Sequence, residues 1–254
     1  MGLIESVHAA EGITVKLSPY VVGELYGVPI TATLITTWLT MALLVAFTLV
    51  VTRKLALVPA GGQNAVEFLI GGVYDYMSDV LESKTLAHRY FPVVMTIFIF
   101  VLALNWVGLL PGVTAFGSVG ESGQLIPWLY PAATDLNITL AFAIVAFLTI
   151  EFAGVAALGI WRYGGKFINF RSPLAFIIGL IEFASEIARL ISFSFRLFGN
   201  IFAGKTLLVV VMFFAPFIVP IPILAFEVFV GLIQAFIFAV LTLFFIKLAV
   251  AEPH

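Results

Sequence analysis

Apolar residues fill five long runs along this chain, and polar residues gather in the gaps between them and in one ordered stripe. The first run is Ile30 to Thr52, closed by Arg53 and Lys54. The second, Phe91 to Leu110, ends at Pro111 and Gly112. The third, Leu136 to Trp161, follows Thr134 and Asp135. The fourth runs from Leu174 to Ala215 and the last from Ile223 to Val250, with Pro216, Pro220 and Pro222 in the loop between them. Runs this long and this apolar predict membrane helices. Residues 1–29 are mixed, carrying Glu5, Glu11, Lys16 and Glu24. They have no basic stretch leading into an apolar core, so a cleaved signal peptide is not expected.

Asn64 to Ser83 has a different pattern. Pro59, Gly61 and Gly62 mark a turn before it. Val66, Leu69, Ile70, Val73, Met77, Val80 and Leu81 recur at helical spacing, and Glu67, Asp75, Asp79 and Glu82 take other positions. This predicts an amphipathic helix lying on the membrane surface or against a partner. The alternative is an ordinary amphipathic helix of a soluble loop domain.

The fourth run is unusually long. Its 42 residues would extend about 63 Å as one helix, twice the roughly 30 Å of a hydrocarbon core. Two spans with a turn near Gly199 and Asn200 compete with one steeply tilted helix. The run contains no proline between Pro173 and Pro216. It still carries Glu182, Glu186, Arg189, Arg196 and Lys205. Glu182, Glu186, Arg189, Ser192, Arg196 and Asn200 follow one another at three or four residues, which puts all six on a stripe roughly 120° wide. Lys205 points about 180° away from Arg196. Charges inside a span are costly and usually functional.

Loop charge favours one helix. Lys and Arg concentrate in 53–89 and 162–171, and both 112–134 and 216–222 lack them. A single helix over 174–215 puts both basic loops, Lys247 and the C-terminus inside, and the N-terminus outside. Splitting the run would put Lys247 outside. In this orientation Glu182 and Glu186 lie toward the inner face. Lys205 and Glu227 lie toward the outer face, with Gln234 deeper and Arg196 between the two polar sets. The expectation is an all-α polytopic membrane protein in a single membrane domain. It has about five membrane helices and one surface amphipathic helix, the last two spans forming a long tilted hairpin.

Composition then removes several functions. The chain has 254 residues, 62% of them hydrophobic and 10% charged, against the roughly 25% charged of soluble domains. Its mean hydropathy is +1.17. A net charge of −2 offers no basic face to nucleic acid. The absence of cysteine excludes disulfides, thiolate metal sites and cysteine nucleophiles. His8, His88 and His254 are scattered, so no histidine metal cluster is expected. No phosphate-cradling glycine loop or nucleophile elbow appears. Neither a cofactor nor catalysis by this chain alone is expected.

FSFRLFGNIFAG (193–204), followed by LIQAFIFAVLT (232–242), closely resembles the a subunit of rotary F-type ATP synthases. LVPAGGQNAVEF (57–68), NWVGLLPG (105–112) and PAATDLNITL (131–140) are similar to that family in the same order. The resemblance runs from about residue 30 to the C-terminus. It implies an outer N-terminus and two long tilted helices against a ring of c subunits. It also implies b-type peripheral-stalk partners, an indirectly attached catalytic sector and an energy-coupling membrane, most plainly a bacterial inner membrane. Arg196 matches the arginine that faces the ring carboxylate, and Gln234 matches the glutamine beside it. Asn200 and Glu227 match outer half-channel positions, with Asn105 and Asp135 in the same vestibule. Glu182 and Ser192 match positions toward the inner half-channel. Glu186 and Arg189 belong to the stripe without a family match.

Three positions depart from the family. Lys205 stands where Glu or His is usual, and Glu227 where several members have His. Lys205 is expected either to pair with Glu227 or to relay protons. The acidic residue common after the second span is absent, with Gly108 in its place. Plainer roles remain open for several residues. Arg196 could cap a polar helix contact. Glu182, Glu186 and Arg189 could form a structural ion-pair ladder. Lys205 and Glu227 could be a purely structural pair. Asp135 could be only an N-cap. Glu151, alone in the third span, could be a buried structural carboxylate or a channel group. A self-sufficient transporter would be expected to show internal repeats or matched broken helices, and neither is found. A structural scaffold would not need the charged stripe.

Overall fold

A computed structural model of the chain describes residues 7–9, 13–15, 18–53, 61–110, 112–119, 125–167 and 172–251. The turn residue Pro59, the charges Lys54, Glu5, Glu11, Lys16 and Arg171, and His254 lie outside them. The order is β1 (Val7–Ala9), β2 (Ile13–Val15), β3 (Val21–Leu25), β4 (Val28–Thr31), α1 (Ala32–Thr52), α2 (Gly62–Leu81), α3 (Lys84–Val107), β5 (Gly117–Val119) and β6 (Leu125–Pro127). A 3₁₀ turn at Ala132–Thr134 precedes α4 (Leu136–Leu158), α5 (Ile160–Gly164), α6 (Pro173–Phe214) and α7 (Pro220–Val250). The chain is an all-α polytopic membrane protein with small β-hairpins attached. Among the described residues five helices, α1, α3, α4, α6 and α7, are long and apolar enough to cross a membrane.

Local signals set the helix ends. The Thr31 hydroxyl accepts from the Leu34 amide at 3.2 Å, capping α1. Ser83 does the same for α3 through Leu86 at 3.3 Å. The second span therefore starts at Lys84, earlier than the apolar run suggests, and only Glu82 and Ser83 separate it from α2. Ser172 caps α6 through Ala175 at 3.1 Å, and Pro173 takes the first helical position, where its missing N–H costs nothing. α6 then continues for 42 residues without interruption. The last helix starts at Pro220 rather than Ile223, since prolines are tolerated in a first turn.

Contacts group the chain into two compact units, Met1–Val50 with Ile99–Thr139 and Phe195–Phe236, and Val51–Phe98 with Leu140–Ser194 and Ile237–His254. In the first unit short strands pair antiparallel within segments that read as mixed or loop, 1–29 and 112–134. β3 pairs with β4 across Tyr26 and Gly27, both at positive φ (51° and 82°), as a two-residue hairpin turn requires. β5 pairs with β6. α1 buries Ala32, Thr33, Thr36 and Thr40. The hydroxyls of Thr36 and Thr40 donate to the carbonyls four residues back, at 2.9 and 2.8 Å, which satisfies them without water. The rest of α1 exposes Leu43, Val45, Phe47 and Leu49, a surface suited to lipid.

In the second unit α4 is patterned inside out relative to a soluble helix. Ala143, Ala146, Ile150 and Ala153 are buried, and Val145, Leu148 and Phe152 are exposed. Small residues inward let backbones approach, and large ones meet lipid. Gly154 follows the same logic: a methyl group there would overlap the Tyr163 ring.

Candidate functional site

The polar side chains form one constellation in each unit. In the first, Glu227 on α7 is buried. Its carboxylate lies against Gly204 of α6, where any Cβ would overlap it. Lys205, the next residue along α6, points elsewhere. Its ammonium stands 3.3 Å from the centroid of the Tyr130 ring and makes no hydrogen bond. Tyr130 in turn packs on Tyr20 with ring centroids 5.1 Å apart. Burial, and then the neighbouring Tyr20, push the Tyr130 hydroxyl up to about 12. The expected Lys205–Glu227 pair is therefore corrected: among the described residues no ion pair joins them. Glu227 meets α6 at Gly204, and one residue further along turns the side chain about 100° around the helix.

Asn105 is fully buried on α3. Its Nδ2 donates to the Gly231 carbonyl at 2.9 Å, and Trp106 Nε1 donates to the Val228 carbonyl at 3.1 Å. Asn105 is thus a tie to α7, with its Oδ1 left without a partner. Asp135 has two tasks. Its Oδ1 accepts from the Asn137 amide at 2.9 Å, capping α4, and its Oδ2 accepts from the Thr33 hydroxyl at 2.7 Å. Arg196, Asn200 and Gln234 are half-buried, and Asn200 Nδ2 has no hydrogen-bond partner. At Gly108 a Cβ would crowd Pro131.

In the second unit Lys166 bridges two carboxylates, at 2.6 Å to Glu182 and 3.3 Å to Glu186. Arg189 meets Glu186 at 2.6 Å, and its guanidinium lies 3.9 Å from the Phe245 ring centroid. Glu186 is almost completely buried between these two cations. Of the ladder read from Glu182, Glu186 and Arg189, only Glu186 and Arg189 pair directly along α6, and Lys166 joins Glu182 to Glu186 in an ion-pair network. Ser192 is exposed and stands outside it. The stripe on α6 is therefore not one uniform face.

Beside this network lies a cavity of about 430 Å³, lined by Phe147, Phe167, Phe176, Phe183, Glu151 and Glu186 among others. Glu151 Oε1 is buried in it without a hydrogen-bond partner. The Tyr163 hydroxyl is its neighbour, and burial, followed by the charges of Glu151 and Glu186, pushes that hydroxyl above its ordinary value. Among the described residues no three His, Asp or Glu side chains converge as a metal site.

Lys166, Tyr130, Tyr20 and Tyr163 are the partners that sequence reasoning missed. Lys166 read only as loop charge. The signal available for Tyr130 was an aromatic residue in a loop devoid of Lys and Arg, which is weak.

The family described as ATP synthase A chain matches residues 34–247. The chain is 32% identical to ATP synthase subunit a of Moorella thermoacetica over 228 residues, covering 90% of this chain and 94% of that protein. It is 36% identical to ATP synthase subunit a of Campylobacter fetus over 205 residues, 80% and 84% of the two chains. It is 34% identical to ATP synthase subunit a 3 of Pelobacter propionicus over 221 residues, 86% and 87%.

Proposed function

The chain belongs to the family described as ATP synthase A chain, and from that premise we propose that it is the proton-translocating a subunit in the membrane sector of an F-type ATP synthase. It lies in a bacterial inner membrane with its N-terminus outside and its C-terminus in the cytoplasm. It is not itself a catalyst. It passes protons to and from a carboxylate on a ring of c subunits, b-type subunits hold it as part of the stator, and a separate sector makes ATP.

The observation that carries this reading is the charge order on α6. One unbroken helix of 42 residues bears Glu182 and Glu186, then Arg196, then Asn200 and Lys205. An arginine near the centre of a span costs about 2.5–3.5 kcal/mol on insertion scales, so its presence calls for a compensating role. A ring carboxylate must be neutral to travel through lipid. Beside Arg196 its anion is favoured, so its proton leaves. The guanidinium suits this task because it does not deprotonate. Glu227, Asn200, Lys205, Asn105, Asp135 and Gln234 serve a half-channel from the outer side. Glu182, Glu186 and Ser192 serve one from the inner side. Arg196 separates the two and repels a proton crossing directly.

The test uses inverted membrane vesicles with the assembled complex confirmed present. Arg196→Ala abolishes proton-driven ATP synthesis and opens a passive proton leak. Arg196→Lys synthesises little and leaks less. Normal synthesis by Arg196→Ala would end the proposal; lost synthesis without leak would retain the effect on the ring carboxylate and remove the barrier.

A further inference from the structure

The ion-pair network of the second unit contains more carboxylates than cations. Glu182 and Glu186 are matched by Lys166 and Arg189 in contacts of 2.6 to 3.3 Å. Glu151 is the third carboxylate. It sits on α4, lines the same cavity as Glu186, and interacts electrostatically with Glu186, Lys166 and Arg189. Two cations against three acids leave one negative charge unmatched among the described residues. The geometry assigns that excess to Glu151: both other carboxylates hold a direct ion pair, whereas its Oε1 is buried with no hydrogen-bond partner.

A carboxylate with a buried oxygen and no ion-pair partner is neutralised more readily than one that holds a cation. The surroundings allow both states. Four phenylalanines on the cavity wall disfavour the bare anion. Lys166 and Arg189 are close enough to stabilise it when it forms. The Tyr163 hydroxyl is the adjacent group able to donate to the anion. Glu182 is about one-third exposed, so the network reaches the surface of the chain there.

We propose that Glu151 is the proton-exchanging member of the inner polar cluster, alternating between carboxyl and carboxylate beside the ion pairs that Glu182 and Glu186 make with Lys166 and Arg189. This rests on the proton-translocating reading above. On release the Oε1–H bond breaks, the electron pair stays on the carboxylate, and the proton passes to water at the Glu182 edge. On uptake the same bond re-forms. Lys166, Arg189, Tyr163 and Glu186 are the titratable groups facing Glu151, and no redox partner is involved.

The experiment measures ATP-driven proton pumping and ATP synthesis in inverted vesicles while the pH of the external, cytoplasmic-side medium is varied. Glu151→Gln mimics the protonated form. It is expected to assemble, to lose transport several-fold, and to lose one inflection from the cytoplasmic-side pH profile. Glu151→Asp restores the inflection. A wild-type rate and profile in Glu151→Gln overturns the inference. So does its failure to assemble, because a residue that alternates must tolerate the neutral form. Arg196→Ala run in parallel separates the two levels. Normal transport there removes the underlying reading, and an indifferent Glu151→Gln alongside a dead Arg196→Ala removes only this inference.

Discussion

Glu227 and Lys205 are adjacent in space to the same turn of α6 yet do not pair. Gly204 leaves room for the Glu227 carboxylate against the helix backbone, and Lys205 finds the Tyr130 ring instead. A cation–π contact contributes about 0.5–2 kcal/mol, comparable to the roughly 1–3 kcal/mol cost of a buried donor left without a hydrogen bond. The ring, rather than the hydroxyl, should then be what Lys205 needs. Tyr130→Phe is expected to keep coupled transport near wild type, and Tyr130→Leu to reduce it along with the thermal stability of the purified complex. The exchange Lys205→Glu with Glu227→Lys is expected not to restore what either single change loses. A full rescue by that exchange, measured as ATP synthesis, would mean the two side chains do meet.

At the scale of elements, the α2–α3 junction is tighter than the apolar pattern implies. Glu82 closes α2 in a left-handed conformation, φ 52°, and its carboxylate takes a hydrogen bond from Lys247 of α7 at 2.6 Å. That bond first, and the Lys247 charge second, hold Glu82 below its ordinary value of 4.5. A depressed carboxylate contributes stability that is present above the unfolded value and is lost as pH falls through the folded one. The contact should thus be constant near neutrality and fade only below 4.5. Glu82→Gln is expected to speed amide hydrogen exchange in the last turn of α7 at neutral pH, and to make no difference in acid well below that value. Equal exchange at neutral pH would mean the contact does not hold that helix end.

At the scale of the whole molecule, orientation follows from where the cations lie. By the positive-inside rule Arg162, Lys166 and Lys247 are expected on one side, and the 112–134 loop, with no Lys or Arg, on the other. The natural chain has no cysteine, so single introduced thiols give clean labelling. Ala251→Cys is expected to react with an impermeant reagent only from the cytoplasmic side, and Phe116→Cys, on an exposed residue, only from the outside. Labelling of both from one side would overturn the single long α6 span, because an even number of crossings would then separate the two positions.

Much of this molecule is legible without coordinates. Apolar run length locates the spans, and a proline-free run of 42 residues between Pro173 and Pro216, read with the loop charges, points to one long helix. Three- and four-residue spacing lines up the polar groups on it. These are local properties, decided within a few turns of chain. Partner choice is not local. Lys166 reaches Glu186 across 20 residues, Asn105 reaches Gly231 across 126, and Asp135 reaches Thr33 across 102. The sequence named Glu227 and Lys205 as opposite charges in one region, but the absent side chain at Gly204 and the ring of Tyr130 decided what each touches. It listed Glu151 as a lone acid, and only packing set it beside Glu186. Charge and spacing are written along the chain, whereas which charge meets which depends on how helices approach, and that is a property of the packed structure alone.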